Sequence, residues 1–179
     1  MKAASKEDII YEECHKRLYF TALRILNNQF EAEEVMHDTL LKFFARGDQF
    51  SSDKERNCWM TRVCINLSID RLRKRESGLF RYNINEGVTI KESIEDTNSD
   101  EEYSYKGVTA QMIKSSLEKL ADGYRLILSL HLFEGYDYEE IAQITKLKEV
   151  SVRSQFIRGR ARLISELEKM KPEIDVKHF

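Results

Sequence analysis

Proline and glycine are scarce in this sequence, which has one proline and seven glycines in 179 residues. Both residue types mark turns and interrupt helices, so their scarcity favours a helical protein. The chain also lacks an apolar run long enough to cross a membrane, and its first ten residues, MKAASKEDII, are too polar for a signal peptide. We therefore expect a soluble protein of the cytoplasm.

Cysteine is scarce as well, and no motif of an enzyme is recognisable. The three cysteines, Cys14, Cys58 and Cys64, are odd in number and lack the spacing of metal ligands. We interpret them as reduced and mostly buried thiols. A phosphate-binding loop, a nucleophile–base arrangement and a metal-spaced cluster are all missing. We expect no cofactor, no metal, no small-molecule substrate and no enzymatic activity.

The total charge is also small, a net −2, but its distribution divides the chain. Residues 78–110 carry three cations and seven acids, whereas residues 1–77 and 111–179 each have a net charge of +1. A chain of this length can form two small domains. We predict an N-terminal helical domain over residues 1–77, an acidic flexible linker over 78–108 and a C-terminal domain over 109–179.

The spacing of apolar residues predicts helices in both domains. Asp137 and Glu140 have the spacing of a capping box and mark the start of one of them. A polar loop is expected over residues 47–58. The expected helices cover residues 6–27, 31–44, 59–75, 112–120, 124–133, a segment after Asp137, and 149–169. The fold class is therefore all-α, with two small helical domains joined by an acidic linker and a helix-turn-helix in the second domain.

Residues 59–75, WMTRVCINLSIDRLRKR, combine an apolar stripe with a cluster of cations. The positions Trp59, Val63, Asn66/Leu67 and Ile69/Leu72 lie close to the helical spacing of one buried face. Four cations lie within the last five residues, RLRKR, which is more than the negative end of a helix dipole requires. A phosphate backbone is a natural partner for such a cluster. A solvated basic helix end is the alternative interpretation.

WMTRVCINLSIDRLRKR also resembles the promoter-binding helix of small sigma-70 factors, the extracytoplasmic-function (ECF) group. Two further blocks resemble the same family, in the same order. EAEEVMHDTLLKFF is similar to the block that docks on the clamp helices of the RNA polymerase β′ subunit, and DYEEIAQITKLKEVSVRSQFIRGRARL to the block that reads the minus-thirty-five element. The resemblance implies a transcription initiation factor that binds core RNA polymerase, through the β′ and β subunits, and directs it to promoter DNA.

Within the first block, the resemblance implies a set of polymerase-binding residues. These are Glu33, Glu34, His37, Asp38 and Lys42. His37 stands where the family usually has glutamine; a neutral imidazole can still form a hydrogen bond there, with a different geometry.

For the minus-ten element, the resemblance implies that the loop over residues 47–58 holds a base flipped out of the non-template strand. Extruding a base costs a few kcal/mol and requires a pocket that receives it. Trp59 is expected to be a core anchor, with a stacking platform as the alternative. The implied DNA-binding residues are Phe50, Lys54, Arg56, Arg62, Asn66, Asp70, Arg71, Arg73 and Lys74.

For the minus-thirty-five element, the helix-turn-helix is expected to insert its second helix into the major groove. Residues 151–162 contain four arginines and no acid, and such side chains suit guanine edges and phosphates. The implied DNA-binding residues are Arg153, Ser154, Gln155, Arg158, Arg160 and Arg162. Lys146 and Val150 replace glycines that are usual in the family, and Lys148 replaces a capping serine.

The resemblance has two further implications, and two alternatives remain open. Factors of this group commonly have an anti-sigma factor as a partner. In the linker, Glu92, Glu95, Asp96 and Asp100 are expected either to occupy the RNA exit path of the polymerase or to belong to a disordered tether. The alternatives are a stand-alone helix-turn-helix regulator that binds a palindrome as a dimer and a protein that binds only other proteins.

Overall fold

A computed structural model of the chain describes residues 5–47, 49–75 and 108–170. These residues form seven α-helices and no strand, which confirms the prediction of an all-α fold. The helices are α1 (Lys6–Leu26), α2 (Gln29–Arg46), α3 (Asp53–Arg75), α4 (Ala110–Glu118), α5 (Asp122–Leu132), α6 (Tyr138–Thr145) and α7 (Glu149–Met170). Apart from Val108, the predicted acidic linker lies outside the described residues.

The first half of the structure, residues 5–75, is a bundle of α1, α2 and α3. A capping box between Ser5 and Asp8 begins α1, and α1 ends at Asn27, which adopts a left-handed conformation with φ of 49°. Asn28 then caps α2 through its side chain. Asparagine tolerates both positions because its short amide can bond to the nearby backbone. Two consecutive asparagines thus reverse the chain between α1 and α2.

The buried stripe of α3 differs from the predicted one. Ile69 and Leu72 of the predicted stripe are buried against α1 and α2, as are Met60 and Cys64, whereas Trp59 and Val63 are only half-buried. Leu67 is half-buried as well. Helix α3 begins at Asp53, six residues before the predicted start, because Ser52 caps the backbone amide of Glu55 and extends the helix into the predicted loop.

The three cysteines are all free thiols. Cys14 and Cys64 are buried and Cys58 is exposed. The Cys64 thiol lies 3.4 Å from the backbone oxygen of Leu18, to which it donates a hydrogen bond. Burial, with a contribution from the Glu134 carboxylate, raises the pKa of Cys64 to about 12. Among the described residues, no group of His, Cys, Asp and Glu side chains could hold a metal ion.

The second half of the structure, residues 108–170, consists of α4 to α7. Here α5 is the central helix, with Leu126, Ile127 and Leu128 fully buried. Gly159 of α7 permits a close approach to α5, since a Cβ atom at this position would lie 3.1 Å from the Cβ atom of Tyr124. No helix in the described part of the chain is long and apolar enough to span a membrane.

The two halves pack against each other through α1 and α5. Arg24 of α1 forms an ion pair of 2.6 Å with Glu134, whose side chain is 12% exposed. The Thr21 hydroxyl donates to the same carboxylate at 3.0 Å, and the buried Arg125 donates to the backbone oxygen of Ile25 at 3.3 Å. Because one cluster of buried side chains includes residues of both halves, the structure is a closed arrangement.

Candidate nucleic-acid interface

The residues predicted to bind the polymerase lie on the side of α2 that faces away from the core. Glu33, Glu34, His37 and Lys42 are exposed, and Asp38 is half-buried. The same side presents two large apolar residues that the sequence analysis did not select: Phe30 is 82% exposed and Leu41 is 64% exposed. The exposed side of α2 is therefore both charged and apolar, as protein-binding surfaces often are.

Arg71 connects this side of α2 with α3. Its guanidinium forms an ion pair with Glu34 and a second one, of 3.3 Å, with Asp38. The Arg71 side chain is 28% exposed. A residue predicted to bind DNA is thus paired with two residues predicted to bind the polymerase.

The other cations at the end of α3 are largely engaged inside the protein too. Arg75 pairs with Glu31 and donates to the backbone oxygen of Leu26 at 2.9 Å. Arg73 forms an ion pair of 3.3 Å with Asp70. Lys74 is exposed and pairs with no described residue. The predicted cluster of free cations is therefore reduced to one residue in this arrangement.

The second half covers the adjacent turns of α3. Arg73 donates to the backbone oxygen of Thr145, the last residue of α6, at 3.1 Å. The Arg62 guanidinium lies over the ring of Tyr136, 5.6 Å from its centroid. A cleft of about 350 Å³ remains between α3 and α6, and Arg62, Asn66, Asp70, Arg73, Gln143, Ile144 and Lys146 line it. Four residues predicted to contact the minus-ten element thus meet at one cleft.

An aromatic cluster lies where the loop after α2 meets α3. The ring centroids of Phe50 and Trp59 are 5.6 Å apart, and the Phe43 ring is 6.1 Å from that of Phe50. The Arg46 guanidinium lies 5.2 Å from both the Phe50 and the Trp59 centroids. Trp59 packs at the edge of the core, which agrees with its expected role as an anchor. The flat guanidinium of Arg46 can stack on these two aromatic rings.

Arg56 requires a correction. It was predicted to contact DNA from a loop, but it lies in the first turns of α3 and is 7% exposed. It forms an ion pair of 3.1 Å with Glu13, which connects α3 to α1, and a second ion pair of 3.0 Å with Asp53 of its own helix. Lys54, two residues earlier, is exposed. Of these two cations, only Lys54 is available to a nucleic acid.

Helices α6 and α7 form the predicted helix-turn-helix. The capping box of Asp137 and Glu140 is present and begins α6, as predicted. Helix α6 ends at Lys146, whose φ of 59° lies in the left-handed region, and α7 begins three residues later at Glu149. A turn this short holds the two helices at a fixed angle.

Most of the predicted base-reading residues lie on the outer side of α7. Arg153, Arg160 and Arg162 are exposed, whereas Ser154 and Arg158 are half-buried. Arg153 pairs with Glu149 at 3.0 Å and lies over the Tyr138 ring, 5.1 Å from its centroid. Gln155 requires a correction: it is 8% exposed, and its Oε1 would lie 3.3 Å from a Cβ atom at Gly123 of α5. Gln155 faces the core because α5 packs on this side of α7.

Comparisons with known proteins agree with this geometry. The model of "Sigma-70 region 2" matches residues 10–78, and the model of "Sigma-70, region 4" matches residues 110–163. The two matches together cover well over half of the chain. This chain belongs to the sigma-70 family.

Similar proteins place this sigma factor in the extracytoplasmic-function group. The ECF RNA polymerase sigma factor SigW of Bacillus subtilis is 26% identical over 165 residues, which cover 90% of this chain and 84% of that protein. The ECF RNA polymerase sigma factor SigE of Mycolicibacterium smegmatis is 29% identical over 157 residues, 88% of this chain and 60% of that protein. The chain is accordingly a transcription initiation factor that directs RNA polymerase to promoters.

A solved structure shows the same fold. The sigma factor RpoE from Bartonella quintana, in complex with the anti-sigma factor NepR, has a TM-score of 0.55 and 24% identity, and the match covers 92% of this chain and 97% of that chain. The region 2 match of this sigma factor contains all the residues predicted for the polymerase and the minus-ten element. The region 4 match contains those predicted for the minus-thirty-five element.

Sequence reasoning missed four features of this sigma factor, one of which is the exposed Phe30 of α2. Arg46 was not selected, although a cation followed four residues later by Phe50 is a sequence signal for a cation–π contact. Leu41 was passed over, although it follows His37 by one turn on the predicted outer side of α2. The stacking of Tyr136 on Arg62 has no signal in the sequence, because it depends on how the two halves pack.

Proposed function

We propose that three surfaces of this sigma factor divide the work of promoter recognition. The exposed side of α2 binds the polymerase β′ clamp helices, the cleft side of α3 with the Phe50 loop binds the minus-ten element, and the outer side of α7 binds the minus-thirty-five element. The observation that carries the assignment is the outer side of α7, where Arg160 and Arg162 are exposed and no acid lies between Ser151 and Leu163.

On α2, the proposed polymerase contact combines charge with apolar area. Glu33, Glu34 and His37 supply polar contacts, and the exposed Leu41 supplies an apolar anchor one turn further on. Burial of apolar surface is the dominant favourable term in most protein–protein association. Leu41 is therefore expected to contribute more to polymerase affinity than any one of the charges.

On α3, Arg62 and Arg73 of the proposed minus-ten surface are half-buried, and they become fully accessible only when the second half moves away. The stacking of Arg62 on Tyr136 and the bond from Arg73 to Thr145 each stabilise the closed arrangement modestly, by roughly 0.5–1.5 kcal/mol. Core polymerase can shift the equilibrium by binding the open arrangement more tightly. Arg62, Asn66, Asp70 and Arg73 would then face DNA.

Separation of the halves also explains how two weak DNA contacts become selective. When the polymerase holds regions 2 and 4 at a fixed distance, binding of one promoter element raises the effective concentration of the other. Capture of a flipped base beside Phe50 then uses binding energy to stabilise melted DNA. We place this activity in the cytoplasm, where the chromosome and the polymerase are, and we propose an anti-sigma factor as an additional partner.

The test is transcription in vitro with purified core RNA polymerase, with and without this protein, on DNA from its own upstream region. We expect promoter-specific transcripts that are lost in the double variant Arg160→Ala/Arg162→Ala. Lys169→Ala, which removes an exposed cation paired with Glu166 at the far end of α7, is the matched control and should transcribe normally.

Failure of this test takes two forms. If no transcript is formed and the protein does not co-elute with core polymerase, the proposal is wrong. Tight binding of the free protein, as a dimer, to a palindrome would then support the stand-alone regulator instead. If the double variant transcribes as well as Lys169→Ala, the assignment of α7 is wrong although the protein acts as a sigma factor.

A further inference from the structure

The outer side of α7 also presents aliphatic side chains. Val150 is 78% exposed and Ile157 is 39% exposed. With Arg153, these residues occupy positions i, i+3 and i+7, which lie on one side of a helix. Single exposed aliphatics are ordinary on protein surfaces, but two on the side of a helix assigned to DNA suit a partner that offers apolar groups.

The neighbouring charges indicate what kind of partner this is. Arg158, Arg160 and Arg162 follow on α7 and make no hydrogen bond or ion pair with any described residue. Glu149, the acidic residue at the start of α7, already forms an ion pair with Arg153. An aliphatic patch bordered by free arginines is complementary to a polyanion that carries apolar groups, and DNA is such a partner.

The position of Val150 determines which part of DNA it would meet. It is the second residue of α7 and follows directly on the turn of the helix-turn-helix. In this motif, the N-terminal residues of the second helix contact base edges in the major groove. The apolar group that base edges present there is the 5-methyl group of thymine.

We propose that Val150 is a specificity-determining residue that contacts a thymine methyl group in the minus-thirty-five element. This inference rests on the proposed function and refines it. Arg153, held by Glu149 and Tyr138, borders the contact, and Ile157 lies one turn beyond Arg153, where it can meet a second thymine. A cytosine in place of the thymine lacks the methyl group and leaves the Val150 side chain without an apolar partner.

The experiment removes the methyl group without changing base pairing. Promoters are first selected from a randomised library with the holoenzyme. Each thymine of the selected minus-thirty-five region, on either strand, is then replaced in turn by deoxyuridine. At one thymine we expect transcription by the wild-type protein to fall about fourfold, the effect of burying one methylene-sized group.

The same templates are transcribed with Val150→Ala. At that thymine the variant should respond to deoxyuridine by less than about 1.5-fold, because the side chain that contacts the methyl group is shortened. The control is Leu132→Ala, which removes an exposed aliphatic residue at the end of α5 and should retain the full response.

The outcomes separate this inference from the proposed function. Promoter-specific transcripts that are insensitive to deoxyuridine at every thymine, or a response that persists in Val150→Ala, overturn the inference and leave the sigma function intact. A selected minus-thirty-five region without thymine also overturns it. Absence of any promoter-specific transcript overturns both.

Discussion

The two helices proposed to meet DNA, α3 and α7, differ in how much of their positive charge is already engaged within the protein. On α3, the guanidinium groups of Arg62, Arg71, Arg73 and Arg75 all contact described residues. On α7, Arg160 and Arg162 are exposed and make no ion pair with the described part of the chain. The second half covers α3 and leaves α7 open.

This difference shows that the density of cations in a sequence does not measure their availability. The segment RLRKR of α3 is the denser cluster, yet Arg71 and Arg75 use their charge to join α3 to α2. Those pairs are 26–63% exposed, so each adds little to stability at ordinary salt concentration. Their effect is to determine which cations a nucleic acid can reach first.

The largest expected effect concerns the two cysteines of α3. Cys58 lines a cleft between the halves with Glu134 and Tyr136, whereas Cys64 is buried and has a pKa of about 12. At pH 8, a thiol with this pKa has a thiolate fraction about a thousandfold below that of a thiol with the ordinary value near 9. We expect iodoacetamide to modify Cys58 and to leave Cys64 unmodified in peptide mass maps.

Two observations check this interpretation of the thiols. Modification of Cys58 should not require core polymerase, because this thiol is exposed in the closed arrangement. The free energy of unfolding should also fall as the pH rises from about 9 to about 12, because the folded protein holds the thiol proton of Cys64 more tightly than the unfolded chain does. Modification of Cys64 as fast as Cys58 would contradict the burial of this side of α3.

The next effect compares the two helices directly. In the free protein, Arg160→Ala/Arg162→Ala should weaken non-specific DNA binding roughly tenfold and reduce the slope of log affinity against log salt by about 2. Arg62→Ala/Arg73→Ala should change the same affinity by less than about twofold, because these arginines are covered in the closed arrangement. Fluorescence anisotropy at several salt concentrations measures both.

With core polymerase present, the contrast should disappear. Both double variants should then lose promoter-specific transcription, because the open arrangement exposes α3. If Arg62→Ala/Arg73→Ala weakens DNA binding by the free protein as much as the α7 variant does, the second half does not cover α3 in solution.

A smaller effect is expected at the contact that holds the halves together. Arg24→Ala should destabilise the protein by about 1–3 kcal/mol, because it leaves the Glu134 carboxylate, 12% exposed, with the Thr21 hydroxyl as its remaining partner. Glu134→Gln should cost less, since an amide keeps a hydrogen bond and buries no charge. Urea unfolding measures both changes.

The control for this pair is an exposed one. Lys114→Ala removes a contact of 4.0 Å with Glu118 on the surface of α4 and should change stability by no more than about 0.5 kcal/mol. If Arg24→Ala has as small an effect as Lys114→Ala, the packing of α1 on α5 is not stabilised by its polar contacts.

The sequence predicted the helices well because each carries local signals. The capping box at Asp137, the asparagines between α1 and α2 and the uninterrupted helical spacing are properties of short segments. The same local information predicted the exposed side of α2. Family resemblance then assigned roles to its residues, and those roles stay predictions until they are tested.

The corrections at Arg56 and Gln155 come from packing between segments distant in sequence. Arg56 is buried because Glu13, forty-three residues earlier, lies opposite it, and Gln155 faces inward because α5 packs on α7. The contact between Arg73 and Thr145 spans seventy-two residues. Helical periodicity indicates that one side of a helix is buried, but it does not identify which neighbour covers the other side.

The smallest effect concerns the turn between α6 and α7, where Lys146 replaces the glycine that is usual in the family. Its φ of 59° is a left-handed conformation that disfavours a residue with a Cβ atom. Lys146→Gly should therefore stabilise the protein by about 0.5–1 kcal/mol, the relief of strain being partly offset by the greater entropy of glycine in the unfolded chain. The midpoint of urea unfolding measures the gain.

Lys146→Ala is the matched control, because alanine removes the charge but keeps the Cβ atom and so relieves no backbone strain at this φ. It should not stabilise the protein. Lys146 also lies beside Arg62 and Arg73 at the cleft, so Lys146→Gly removes a like charge from the covered side of α3. A gain from Lys146→Gly that shrinks as salt is added would show that this repulsion, and not backbone strain, is what the lysine contributes.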